Sequence, residues 1–67
     1  MFEFRITDLR KGDEFTADNG DSWWRVLRGP HRFEVDAECI SAQSGSGYTA
    51  GQQEGFAFLR EDRVIVR

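Results

Sequence analysis

The sequence predicts an all-β fold, a small barrel of five to six antiparallel strands with almost no helix. Three observations predict it. Apolar and polar residues alternate with period two in several short runs, the signal of half-buried strands. Asn19-Gly20 is the strongest two-residue hairpin signal a sequence offers. No stretch repeats its apolar residues with a helical period.

The elements follow in order. Phe2, Phe4 and Ile6 alternate with Glu3, Arg5 and Thr7 in a first strand. Asp8 to Gly12 makes a turn, with Leu9 as a plug. Asp13 to Ala17 is a second strand around Phe15. Strand three runs from about Ser22 to Leu27, and Gly29-Pro30 interrupts it. Phe33, Val35, Ala37 and Cys39 alternate with Glu34, Asp36 and Glu38 in strand four. Residues 44–54 are rich in Gly and Ser and are expected to form a flexible loop. Phe56 and Phe58 mark strand five. A tight or 3₁₀ turn is expected near residues 60–63, before a last short strand at Val64 to Val66. Nothing divides the chain, so residues 1–67 form one domain.

Turn lengths set the registers. A two-residue turn at Asn19-Gly20 places Phe15 opposite Trp24 and Glu14 opposite Arg25. A loop from Arg28 to His31 would place Trp24 opposite Val35 and Arg25 opposite Glu34. Trp24 then lies inside with Phe15, Val26, Phe33 and Val35. Arg25 lies outside between two carboxylates, a favourable cross-strand arrangement. Neighbouring residues on a strand point to opposite faces. Trp23 is therefore expected on the outer face, flanked by Thr16 and Asp36.

A chain of 67 residues has a thin core. Six Phe, two Trp and one Tyr compensate, because each ring buries a large area. The net charge is −3, unevenly spread: residues 23–32 carry Arg25, Arg28 and Arg32 with no acid. A nonspecific nucleic-acid binder is normally basic overall, so any such contact here needs a local patch. The single Cys39 forms no intrachain disulfide, which suits a reducing, cytoplasmic setting. No metal-ligand spacing occurs, and no cofactor is expected. No apolar run approaches the roughly 20 residues of a membrane span. Residues 1–5 lack the apolar stretch of a signal peptide.

The run Ile6-Thr7-Asp8-Leu9-Arg10-Lys11-Gly12-Asp13-Glu14-Phe15 resembles the entry of many small SH3-like barrels. Phe56-Ala57-Phe58, then Glu61-Asp62-Arg63-Val64-Ile65-Val66, resembles their closing turn and strand. Such proteins are common among actinobacterial and bacteriophage chains. The resemblance implies an SH3-like barrel that binds proteins or nucleic acids, and it assigns no functional residue. Gly55-Phe56-Ala57-Phe58-Leu59 is also similar to the aromatic RNA-binding strand of cold-shock domains. In that family the strand lies near the N-terminus behind a Lys, whereas here it lies near the C-terminus behind Glu54.

Candidate sites follow from residue types. Trp23, Leu27 and Ile40 are expected on the outer face, and Trp is a favoured interface anchor. The alternative is that the N-terminal strand or the 44–54 loop covers them. Arg28, His31 and Arg32 form a basic cluster around Gly29-Pro30 that could hold phosphates beside Trp23. The alternative is a solvated loop whose arginines answer nearby acids. Cys39 continues the inward alternation of its strand and reads as a small core residue. His31 lies at the other end of that strand, so the pair cannot act as nucleophile and base. The acidic residues lack the spacing of a calcium loop.

No nucleophile, base and oxyanion donor can be assembled, so a non-enzymatic binding module is expected. The first expectation is protein–protein interaction through Trp23, Leu27 and Ile40. The alternatives are nucleic-acid binding through Trp23, Arg28, His31 and Arg32, and a homo-oligomer that hides the outer Trp. No membrane partner is expected.

Overall fold

The computed structural model describes residues 1–41 and 47–67. It contains one open antiparallel sheet of six strands. These are β1 (Phe2–Arg5), β2 (Glu14–Thr16), β3 (Trp23–His31), β4 (Glu34–Ser41), β5 (Gln53–Ala57) and β6 (Arg63–Val66). Their order in the sheet is β1-β6-β2-β3-β4-β5. β2 to β5 form a meander, and β6 returns to lie between β1 and β2. The sole helical element among the described residues is a 3₁₀ turn at Ile6–Asp8. The helical turn thus follows β1 instead of standing near residues 60–63. There a turn closes instead, with Asp62 N–H donating to the Leu59 carbonyl and Leu59 N–H donating to Asp62 Oδ2.

The Asn19-Gly20 hairpin forms as its sequence predicts. Both residues have positive φ, 59° and 95°, as the strand-twist-matched turn requires. Phe15 pairs with Trp24 and Glu14 with Arg25. Side chains brace the corner: Thr16 Oγ1 donates to Asp18 Oδ1 and accepts from Gly20 N–H, while Ser22 N–H donates to Asp18 Oδ1.

The next hairpin differs from expectation. Gly29-Pro30 does not end the strand; β3 continues to His31 and turns at Arg32-Phe33. Trp24 therefore faces Cys39, not Val35, and Arg25 faces Glu38, not Glu34. The reason lies in the backbone. Gly29 takes φ of 106°, open to a residue without Cβ, which lets the strand bend and go on. A Cβ there would stand 2.7 Å from the Glu34 carbonyl oxygen. The Gly29-Pro30 peptide is cis. Register shifts flank Leu27 on β3 and Ile40 on β4, so each is an extra, bulged residue.

The core holds Ile6, Leu9, Phe15, Trp24, Val26, Val35, Ala37, Cys39, Val64 and Val66, with Phe4, Phe33, Tyr48, Phe56 and Phe58 packed against it. Phe56 meets Phe15 and Trp24 edge to face at 5.6 and 4.8 Å. In a flat sheet β2 and β5 would stand about 14 Å apart. The sheet is therefore strongly curled.

The described part of the expected 44–54 loop, residues 47–54, makes contacts with the sheet. β5 already begins at Gln53. Cys39 N–H donates to the Gln52 carbonyl, and Gly51 N–H donates to the Cys39 carbonyl. Tyr48 packs edge to face on Trp24 at 4.9 Å. Residues 44–46 lie outside the described residues.

Candidate functional site

Two adjacent indoles on β3 must point to opposite faces. Trp24 takes the concave side and joins the core. Trp23 takes the outer side, where a ring needs cover of its own. The structure supplies it: Trp23 is only 6% exposed. Of the two alternatives, an open outer ring or a covered one, the ring is covered.

The cover comes from residues distant in sequence. Thr16 on β2 pairs with Ile65 on β6, which brings Ile65 beside the outer ring. The Arg67 guanidinium lies 4.1 Å from the Trp23 ring centroid, a cation–π contact. Arg67 Nε is fixed by donating to Glu14 Oε1 at 3.0 Å. A recess of about 200 Å³ remains open here, lined by Met1, Thr16, Asn19, Gly20, Trp23 and Ile65. Thr16 flanks Trp23 as expected. Asp36 does not: Trp23 pairs with Ser41, and Asp36 lies opposite Arg28.

Leu27 and Ile40 do not join this recess. As bulged residues they fall outside the regular alternation, and both are half buried. Leu27 borders a separate depression of about 250 Å³ with Arg28, Asp36, Glu54 and Gly55. The three residues expected to form one surface are thus divided.

The basic residues of β3 stand opposite the acids of β4. Arg25 faces Glu38, Arg28 faces Asp36 and His31 faces Glu34. Arg28 Nε lies 3.6 Å from Asp36 Oδ2, and Arg25 lies 3.9 Å from Glu14. Opposite charges directly across a sheet stabilise it modestly. Arg32 occupies the turn at φ 60° and is exposed. Cys39 is fully buried, and its thiol donates to the Ser41 carbonyl at 3.3 Å. Its cross-strand neighbour is Trp24, whereas His31 pairs at the far end of the same ladder.

Sequence reasoning missed Met1, Ile65 and Arg67 as parts of the Trp23 surroundings. Their proximity depends on β6 entering between β1 and β2, a long-range pairing with no local signal. It also missed a second cluster: Arg5, Arg60, Glu61 and Arg63 line one depression of about 250 Å³. Arg5 and Arg63 stand directly opposite each other. The period-two pattern placed Arg5 outward but could not name its neighbour.

No protein-family model, curated protein or solved structure matches this chain. The recess around Trp23 and the strand edges therefore carry the functional reading. Among the described residues, no three His, Cys, Asp or Glu side chains are placed to hold a metal ion.

Proposed function

We propose that the chain is a non-enzymatic binding module, an SH3-like barrel that accepts an apolar side chain of a protein partner beside Trp23. The strand order supports the barrel reading, because a curled meander closed by a returning last strand is how a short chain encloses one core. The observation that carries the binding reading is the recess of about 200 Å³ formed by Trp23, Ile65, Thr16 and Met1. It is smaller than the roughly 300–1,000 Å³ of small-molecule sites, so one inserted side chain fits it better than a free ligand. Its lining includes an indole in cation–π contact with Arg67, and Trp is a favoured anchor at protein interfaces.

Capture of partners from the native cell, with an Ile65→Arg variant beside the unaltered chain, tests this. The variant places a long charged side chain in the recess. Loss of captured protein, with the thermal transition retained, supports the reading. Equal capture by both chains would overturn it. The complex is also expected to persist at high salt, since its core is apolar.

Nucleic-acid binding through Trp23, Arg28, His31 and Arg32 draws less support. Arg28 is paired with Asp36, His31 faces Glu34, and Arg67 occupies one face of the Trp23 ring.

A further inference from the structure

β1 is an edge strand whose free side carries a self-complementary pattern. Two hydrogen bonds show which residues face that side. Arg67 N–H donates to the Glu14 carbonyl, so the odd-numbered residues of β6 bond to β2. Ile6 N–H donates to the Asp62 carbonyl, so the even-numbered residues of β6 bond to the even-numbered residues of β1. Peptide groups alternate in direction along an antiparallel strand. Glu3 and Arg5 therefore turn their N–H and C=O groups away from β6, toward the unpaired edge.

Strand edges are templates for further pairing unless they are blocked. β1 contains no Pro, no Lys and no bulge, and Phe2 on it is 69% exposed. A second copy of β1 can pair antiparallel about a two-fold axis in three registers that use the outward groups. Glu3 opposite Glu3 repels, and so does Arg5 opposite Arg5. Glu3 opposite Arg5 attracts twice, once on each side of the axis. That register also places Phe4 opposite Phe4 at the axis, on the side where Phe2 is exposed.

The existing contacts favour the same register. Arg5 stands opposite Arg63 and has no ion-pair partner among the described residues. Arg63 is paired with Glu3 at 3.1 Å, and three arginines, Arg5, Arg60 and Arg63, share one depression with the single carboxylate of Glu61. Glu3 of a second copy would bring a further carboxylate to this arginine excess.

The geometry points to a symmetric homodimer formed by β1–β1 pairing, with Glu3 of each copy opposite Arg5 of the other. The result is a continuous sheet across two molecules, in which the isologous contact uses both β1 edges and leaves a β5 strand at each end. The new contact consists of about four main-chain hydrogen bonds and two charge pairs. It is smaller than a standard stable interface of roughly 1,200–2,000 Å², so association belongs to the high end of protein concentration.

Sedimentation velocity up to about 1 mM protein tests the proposal. The unaltered chain is expected to pass from monomer to dimer. Glu3→Arg and Arg5→Glu alone each create like-charge pairs in this register and are expected to weaken association roughly tenfold. The double variant restores opposite charges and is expected to recover it. Amide exchange of the unaltered chain gives a readout independent of mutation. The Glu3 and Arg5 amides gain protection as concentration rises, while those of Phe2 and Phe4 are already protected in the monomer. A monomer at every concentration, single variants that dimerise normally, no recovery in the double variant, or species larger than dimers would each overturn the proposal. Glu3 and Arg5 do not line the Trp23 recess, and this test leaves Ile65 unaltered, so its outcome is read separately from the partner-capture result.

Discussion

Phe15 on β2 and Phe56 on β5 meet edge to face, 5.6 Å between ring centroids, although two strands separate theirs in the sheet. That contact exists only because the meander curls on itself. Phe56 is its hub: it also touches Trp24 at 4.8 Å and stacks on Phe58 at 5.9 Å. Phe56→Ala is expected to cost about 3 kcal/mol, measured by urea unfolding. A loss under about 1 kcal/mol would mean that the curl does not depend on this ring.

Gly29 and Gly12 share a positive φ but differ in surroundings. A Cβ at Gly29 would press on the Glu34 carbonyl at 2.7 Å, whereas one at Gly12 would meet nothing within 4 Å. Gly12→Ala is expected to cost about 1 kcal/mol, from backbone strain alone. Gly29→Ala is expected to cost at least about 2 kcal/mol, because the clash cannot relax without moving the β4 backbone. Equal costs in chemical denaturation would remove the steric argument for β3 running through Gly29-Pro30.

The Ser22 hydroxyl is buried without a hydrogen-bond partner among the described residues. An unpaired buried hydroxyl carries a desolvation cost that a methyl group does not. Ser22→Ala is expected to leave stability unchanged or raise it by up to about 1 kcal/mol. A destabilised variant in a thermal melt would show that the hydroxyl has a partner.

Arg67 covers Trp23 and bonds to Glu14. Arg67→Ala is expected to cost about 1 kcal/mol and to open the ring to solvent. In a Trp24→Phe background Trp23 is the only indole, and its emission should shift to the red with greater quenching by iodide. Unchanged quenching would mean that Ile65 and Met1 suffice as cover.

What could be read from the residues depended on how local the decisive contact was. The Phe15–Trp24 register followed from a turn two residues long, and it holds in the structure. The inward places of Val26, Val35, Ala37 and Cys39 followed from alternation and also hold. The β3–β4 register did not follow. Gly29-Pro30 reads as a break in sequence, but the positive φ of Gly29 and the bulge at Leu27 let the strand continue. Leu27 and Ile40 were placed by an alternation that bulges interrupt. Trp23 was correctly assigned to the outer side. Its cover by Ile65 and Arg67 depends on pairing between residues about fifty positions apart, which no local pattern records.

The position of β6 has a consequence for how the molecule is made. Both β1 and β2 take β6 as a neighbour, and β1 has no other among the described residues. During synthesis the first strand therefore has nothing to pair with until Arg63–Val66 has left the ribosome. The β2–β3–β4–β5 meander can form earlier from contacts between successive strands, whereas the long-range pairing of β1 with β6 follows it. Phe2 and Phe4 thus stay without their strand partner until Arg63–Val66 has been made.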